Sequence, residues 1–285
     1  MNKRLSKCIE TLQGIVKLLF FSSWKKNRFT ASATEVVILG NGPSLASMLE
    51  NNSHFLSEKE LIAVNYFALS DVFFSLKPRH YVLIDFAFYH EPFDDNETLA
   101  KRKTMWENIA RANWEIHLYL PHSAKKHTRW QQIIGNNKHV DVHYINVTAI
   151  EGYSCFRHWC YKKMLGMPRP HNVIVPALMI ALKMQFKKIY LWGVDHSWLS
   201  QISVDDNNRA LVNNRHFYDT NGSKPSRFIV KTHASAPLHV ILYTMMTAFE
   251  SYFIIAEYAR KCQSLILNQT RGSMIDAFER DYLSE

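Results

Sequence analysis

Cysteine is scarce in this chain. The four present in 285 residues, Cys8, Cys155, Cys160 and Cys262, show no disulfide framework. That removes the small disulfide-stapled class and makes a reducing compartment the expectation. Cys155-x4-Cys160 lies near His158 and His171, but the spacing fits no common zinc knuckle, so ordinary buried thiols are expected and no metal ligands are assigned. Internal repeats and low-complexity segments are also missing. The early apolar run Leu18–Phe21 is far too short to span a bilayer, and no small-residue cleavage site follows it, which argues against a secretory signal. Net charge is nearly absent from most of the chain. Residues 1–28 hold seven basic residues against Glu10, a net +6 out of a total of +9. The remaining body carries only +3, so a general nucleic-acid-binding surface is not indicated and no nucleic-acid partner is expected.

What is present begins with Val36-Val37-Ile38-Leu39-Gly40-Asn41-Gly42-Pro43-Ser44-Leu45. Four apolar residues read as a buried parallel strand. The turn that follows has no bulky side chain before Leu45, so backbone amides can approach a ligand closely. Ser44 is placed to cap a helix starting at Leu45. Strand, tight turn and helix N-terminus together suit a phosphate or nucleotide. The spacing is neither that of a dinucleotide G-x-G-x-x-G nor that of a P-loop Gly-Lys-Ser/Thr, so an ordinary dehydrogenase or ATPase is not expected.

Ahead of this strand, Leu5, Ile9, Leu12, Ile15, Val16, Leu19 and Phe20 fall at helical spacing among basic residues, with Trp24 and Lys25-Lys26 following. Two readings fit residues 1–30: a basic amphipathic helix lying on an anionic membrane, or a helix packed on its own domain or on a partner. Residues 31–285 read as one domain. Further strands are expected at Leu61–Val64, His80–Ile84, Trp114–Leu120, Val140–Ile145, Lys188–Trp192 and Leu265–Leu267. Helices are expected at about 174–185, 238–261 and 274–282. Alternating strands and helices imply an α/β, Rossmann-like, mostly parallel sheet flanked by helices, with ligands beyond the carboxyl ends of the strands. Residues just past those ends are Asn41, Asn65, Asp85, Asp195 and Asn268, a polar rim suited to a sugar and a ribose. The polar, irregular stretch 197–232 holds Arg209, Arg215, His216, Tyr218 and Arg227 and reads as a lid over a site that handles anions. Asp94-Asp95 and Asp205-Asp206 end no clear strand and read as solvated loop acids.

Gly40 to Leu45, the strand-end Asn65, and Ile189-Tyr190-Leu191-Trp192-Gly193-Val194-Asp195 resemble, in order, the bacterial sialyltransferases of the Campylobacter lipooligosaccharide type. The first motif is shared with archaeal-type hydroxymethylpterin diphosphokinases and their bacterial relatives. The segments Phe249–Tyr252, Ile266–Asn268 and Ser273–Phe278 look like relatives found in surface-polysaccharide clusters. The sialyltransferase resemblance implies a modified GT-A fold, a CMP-activated sugar donor, inversion at the anomeric carbon, and neither metal nor other cofactor. It implies that the turn Gly40, Asn41, Gly42, Pro43 and Ser44 faces the donor, with Asn41 at its phosphate and ribose. It places Asn65 by the donor sugar, and Gly193 and Asp195 by the ribose and cytosine. Tyr218 is then the lid tyrosine that hydrogen-bonds the departing phosphate, and Trp198 lies near the position of another. Asp85 stands where the family has Asn, and Pro170-His171-Asn172-Val173-Ile174 stands where it has Arg-Ile-Thr-Ser-Gly.

Inverting transfer needs a base for the acceptor hydroxyl, and the family takes a histidine from before its late long helix. His239 and His233 both fall there. With Pro237 as the first helical residue, His239 sits in the first turn, where the helix dipole keeps an imidazole neutral. His196, after Asp195, is a third option. The resulting expectation is a glycosyltransferase that moves sialic acid or another CMP-activated acid sugar to a bacterial surface glycan or glycolipid. It would work in the cytoplasm, on the inner face of the inner membrane, as a monomer or an oligomer. The alternatives are pyrophosphoryl transfer to a pterin with ATP and magnesium, or a non-catalytic scaffold in polysaccharide assembly.

Overall fold

The computed structural model describes residues 3–25, 29–90, 96–212, 217, 226–227 and 236–283. Eight strands form one fully parallel sheet: β1 (Glu35–Leu39), β2 (Glu60–Val64), β3 (His80–Val82), β4 (Ile116–Pro121), β5 (Val140–Ile145), β6 (Lys188–Trp192), β10 (Leu265–Asn268) and β11 (Glu279–Arg280). Their spatial order is β11-β10-β6-β1-β2-β3-β4-β5. The chain therefore winds outward from β1 to β5, then returns to the other side of β1 and winds outward again. The order reverses between β1 and β6, and that reversal opens a crevice beyond their carboxyl ends.

The strands are apolar on both faces because both faces are covered. Val36 and Ile38, Ile62 and Val64, and Ile189 and Leu191 point into one core. Val37 and Leu39, Leu61 and Ala63, and Tyr190 and Trp192 point into the other. The first core lies under α6 (Ser154–Lys162), α7 (Ile174–Lys183) and α8 (Leu238–Cys262). The second lies under α2 (Ser44–Asn52), α3 (Val72–Leu76), α4 (Asn96–Ala110) and α5 (Arg129–Ile134). Every residue of α7 from Ile174 to Leu182 is buried, at about 1.5–3 kcal/mol for each large aliphatic side chain. The helix α8 is long and apolar enough to cross a bilayer by composition, yet Tyr252, Ile255 and Ala259 seat it in the first core.

Strand and helix positions follow the sequence closely, with two corrections. The expected helix at 274–282 is absent: the segment runs as turn and coil into β11 beside β10. Arg280 is held there by hydrogen bonds to the carbonyls of Ser273 and Ile275, which fasten the segment to the sheet edge. Ser44 is also not a cap. It is the first residue of α2, Pro43 precedes it as the N-cap without a side-chain cap bond, and the Ser44 amide is met instead by the Asp195 carboxylate. Within 197–232, β7 (Ile202–Val204), β8 (Ala210–Val212) and β9 (Ser226–Arg227) form a small antiparallel sheet.

The N-terminal helix α1 (Lys3–Phe21) docks on the body through its small and polar face. Gly14 abuts Phe156, Leu18 is buried, the Tyr153 amide donates to Thr11 Oγ1, and Lys17 Nζ lies 3.8 Å from Glu151. Just past the helix, Ser22 Oγ donates to the Leu165 carbonyl. The opposite face stays in water: Leu5, Ile9, Leu12, Val16, Leu19 and Phe20 are 40–76% exposed.

Candidate functional site

The turn after β1 and the turn after β6 interlock backbone to backbone. The Gly40 amide donates to the Trp192 carbonyl and the Gly42 amide to the Gly193 carbonyl, each at 2.8 Å. A Cβ on Gly40 would overlap the Gly193 oxygen, and one on Gly42 would overlap the Asp195 carboxylate. Gly193 has φ +63°, and a Cβ there would come within 2.7 Å of Leu45 Cβ. These glycines let the two strand ends meet at the crevice.

Asp195 locks the junction. Its Oδ2 accepts from Ser44 Oγ at 2.8 Å and its Oδ1 from the Ser44 amide at 3.3 Å. Burial pushes its carboxyl above the ordinary aspartate value, against the lowering effect of those two hydrogen bonds. From behind, the segment after β10 pins the same turn. Thr270 Oγ1 accepts from the Val194 amide, Ser273 Oγ donates to the Val194 carbonyl, and the Met274 amide donates to the Asp195 carbonyl. Asn268 belongs to this support, donating Nδ2 to Ser273 Oγ. Thr270 and Ser273 were missed as site supports; the run of short polar residues directly after the last strand was the available signal.

Asn41 donates Nδ2 to the Val64 carbonyl at 3.0 Å, which bridges the ends of β1 and β2. Its Oδ1 is buried without a partner, as is Oδ1 of the neighbouring strand-end residue Asn65. Asn65 has φ +50°, a left-handed backbone that asparagine tolerates better than most residues. Phe217, inside the expected lid, donates its amide to the Asn41 carbonyl and packs its ring 5.7 Å from that of Phe67. Phe217 thus touches the turn after β1.

Asn172 is the third polar residue at this edge. Its Oδ1 accepts from the amides of Ile174 and Val175, starting α7, and from the Tyr252 hydroxyl at 3.0 Å. Its Nδ2 is buried and unpartnered. The Tyr252 hydroxyl has spent its proton on Asn172, so His196 Nε2, 2.5 Å away, must be the donor to it. His196 has φ +52° and is buried, and burial pushes its pKa down to about 3, which keeps the ring neutral. The Trp198 ring centroid lies 4.1 Å from that of His196. Tyr252 was not assigned to the site in advance.

The remaining expected residues separate. Asp85 is exposed and uses Oδ1 to cap the short turn at Ala87. Arg209 pairs with Asp205 across the β7–β8 turn, so both are accounted for locally. His239 lies in the first turn of α8 with an exposed side chain, but Pro237 is not the first helical residue as expected: its ψ of 152° is extended, and the helix begins at Leu238. Tyr218, His233, Asp94, Asp95, Arg215 and His216 lie outside the described residues. The helices α2 and α7 start at the carboxyl edge of the sheet, so their positive dipole ends face the crevice, whereas α8 passes the edge at Tyr252, fourteen residues after its start at Leu238. On the same edge, a groove of about 380 Å³ lies between α1 and the ends of β4 and β5, lined by Lys17, Phe21, His122, Asn146 and Thr148 among others.

No family model matches the chain, and no curated protein matches it. Among solved structures it is similar to the MAf glycosyltransferase from Magnetospirillum magneticum AMB-1, at 16% identity and a TM-score of 0.49. That likeness covers 96% of this chain and 38% of the other, so the chain spans about two fifths of the Magnetospirillum protein. It is also similar to a mammalian sialyltransferase, at 11% identity and a TM-score of 0.33, over 78% of this chain and 71% of the other. Neither TM-score reaches one half.

Proposed function

We propose that this chain is a glycosyltransferase that uses a nucleotide-activated sugar, with a CMP-linked acid sugar favoured, and passes it to a glycan or glycolipid. The observation that carries this reading is the crevice at the β1–β6 reversal. There two glycine turns, Asp195, and the unsatisfied amide oxygens of Asn41 and Asn65 meet beside the N-termini of α2 and α7. Buried acceptors without partners suit ribose or sugar hydroxyls, and the helix ends suit a phosphate. Departure of a nucleotide phosphate calls for donors from a lid, and Tyr218 follows the lid residue that touches Asn41. His239 and His233 are the base candidates. The buried His196, tied to Tyr252 and neutral, is better suited to holding Asn172 and the α7 start in place.

The acceptor side is read from α1. Its exposed apolar face and the +6 charge of residues 1–28 suit an anionic bilayer, and the groove beside it would receive a lipid-borne acceptor. The enzyme would then sit on the cytoplasmic face of a bacterial membrane. Incubation with CMP-, UDP- and GDP-sugars is expected to give binding and slow donor hydrolysis with one of these classes. Absence of both with all three removes the reading. Full activity in both His233→Ala and His239→Ala removes the histidine base.

A further inference from the structure

Away from the crevice, the first face of the sheet loses its apolar character at one corner. His80 on β3, His117 on β4, and Asp141 and His143 on β5 all point to this face, in register across the strands. Three of their atoms converge. His117 Nδ1 lies 3.0 Å from His143 Nε2, His143 Nε2 lies 3.0 Å from Asp141 Oδ2, and His117 Nδ1 lies 3.8 Å from Asp141 Oδ2. We propose that these three atoms bind a divalent transition-metal ion of the zinc type, as a structural clamp between β4 and the edge strand β5.

The spacing is that of a tetrahedral site. Ligands about 2.05 Å from zinc stand roughly 3.3 Å apart, and the three sides bracket this value. A point equidistant from the three atoms in their plane lies about 1.9 Å from each, so an ion about 0.7 Å above the plane meets all three at zinc-like lengths. Without an ion the cluster is short of protons: two ring nitrogens and a carboxylate oxygen face one another, and one N–H must serve all three. A second observation concerns the other nitrogen of His117. Its Nε2 is buried with no hydrogen-bond partner, and Glu115 Oε1 lies 3.5 Å away. Metal binding at Nδ1 fixes the proton on Nε2, where a carboxylate is the usual orienting partner. Two imidazoles and one carboxylate suit zinc or cobalt rather than magnesium or calcium, which take oxygen ligands. Asp141 is 66% exposed, so the fourth position faces solvent and takes water.

The site is three strands from β1, about 14 Å at the usual strand spacing, and is not part of the crevice. Its test is therefore independent of sugar transfer. The full chain, made without a histidine tag and stripped with a chelator, is titrated with Co²⁺ and Zn²⁺ while visible absorption and thermal unfolding are followed. One equivalent should bind with a low-coordinate Co²⁺ spectrum that Zn²⁺ displaces. Free Zn²⁺ at a hundred times its Kd should raise the folded-to-unfolded ratio about 100-fold. His143→Ala should abolish binding, Asp141→Asn should weaken it at least about tenfold, and the nearby exposed His139→Ala should leave it unchanged. Asp141 lies mostly in water, so its variant keeps the test valid if a histidine variant fails to fold. Absence of stoichiometric binding, or an affinity that Asp141→Asn leaves within twofold of the parent, overturns the proposal.

Discussion

Replacing Asn41 with alanine should weaken nucleotide binding about 5- to 150-fold while shifting the stability of the fold by no more than about 2 kcal/mol either way. The side chain makes one hydrogen bond, from Nδ2 to the Val64 carbonyl, worth about 1 kcal/mol net. Its Oδ1 is buried and unpartnered, a defect that costs about 1–3 kcal/mol. Alanine relieves the second but strips the buried Val64 carbonyl of its donor, at about 1–3 kcal/mol, so the balance lies within about 2 kcal/mol of zero. For a chain of this size about 1 kcal/mol moves Tm by roughly 2–4 °C, which predicts a Tm within about 8 °C of the parent. If Oδ1 is kept for a ligand hydroxyl, its loss strands that hydroxyl at about 1–3 kcal/mol, roughly 5- to 150-fold in Kd. Scanning fluorimetry and calorimetric titration with the nucleotide that binds the parent protein measure both quantities. Asn65→Gly is the matched second variant, because glycine keeps the φ of +50° while deleting the amide. A Tm that falls by more than about 8 °C, with Kd unchanged within twofold, would show that Asn41 is structural and does not hold a ligand.

Gly193→Ala should cost about 1–2 kcal/mol for the left-handed backbone and about 1–3 kcal/mol for crowding Leu45, visible as a Tm lowered by several degrees. An unchanged Tm would mean that the two turns can separate freely. Tyr252→Phe strips the acceptor from His196 Nε2 and one donor from Asn172, so its urea midpoint should fall by the equivalent of about 1–3 kcal/mol. Glu60 should make the protein acid-sensitive. Burial raises its pKa, but hydrogen bonds from His80 and from the Ser32 and Ala33 amides outweigh this and hold it at about 2, against an ordinary 4.5. A carboxyl depressed in the folded state contributes stability above about pH 4.5 and loses it as pH falls toward about 2. Glu60→Gln should flatten the acid-unfolding curve over that window, and an unaltered curve would refute the assignment. Leu12→Asp with Leu19→Asp should abolish cosedimentation with anionic vesicles, since both side chains are exposed and contribute nothing to docking α1. Vesicle binding retained by the double variant would place membrane contact elsewhere.

The sheet was legible because a doubly covered parallel strand leaves a strong local record. Val36–Leu39, Leu61–Val64 and Lys188–Trp192 are apolar runs that stop at a glycine or a short polar residue, and each strand lies where its run does. The last segment was misread because Met274, Ile275, Ala277 and Phe278 mimic helical spacing. Its conformation is decided by long-range bonds, Arg280 to the Ser273 and Ile275 carbonyls and Met274 to Asp195, that no local pattern records. For α1 the amphipathic pattern was correct, but it could not say which face would dock. The contacts of Thr11, Gly14 and Leu18 put the apolar side outward.

The site divides along the same line. Asn41, Asn65 and Asp195 were readable because each follows its own strand, and strand ends in a parallel sheet share one edge. Tyr252 and Thr270 were not, because each reaches the crevice from an element whose register depends on packing against the rest of the fold. The histidine–aspartate cluster shows the limit most sharply. Asp141-x-His143 places two side chains on one face of β5, an ordinary alternation in any strand, and His117 enters only through the register of β4 against β5. A one-residue slip would turn Asp141 and His143 to the other face and scatter the three atoms. Metal binding and its loss in Asp141→Asn would therefore report on that register as directly as on the ligands themselves.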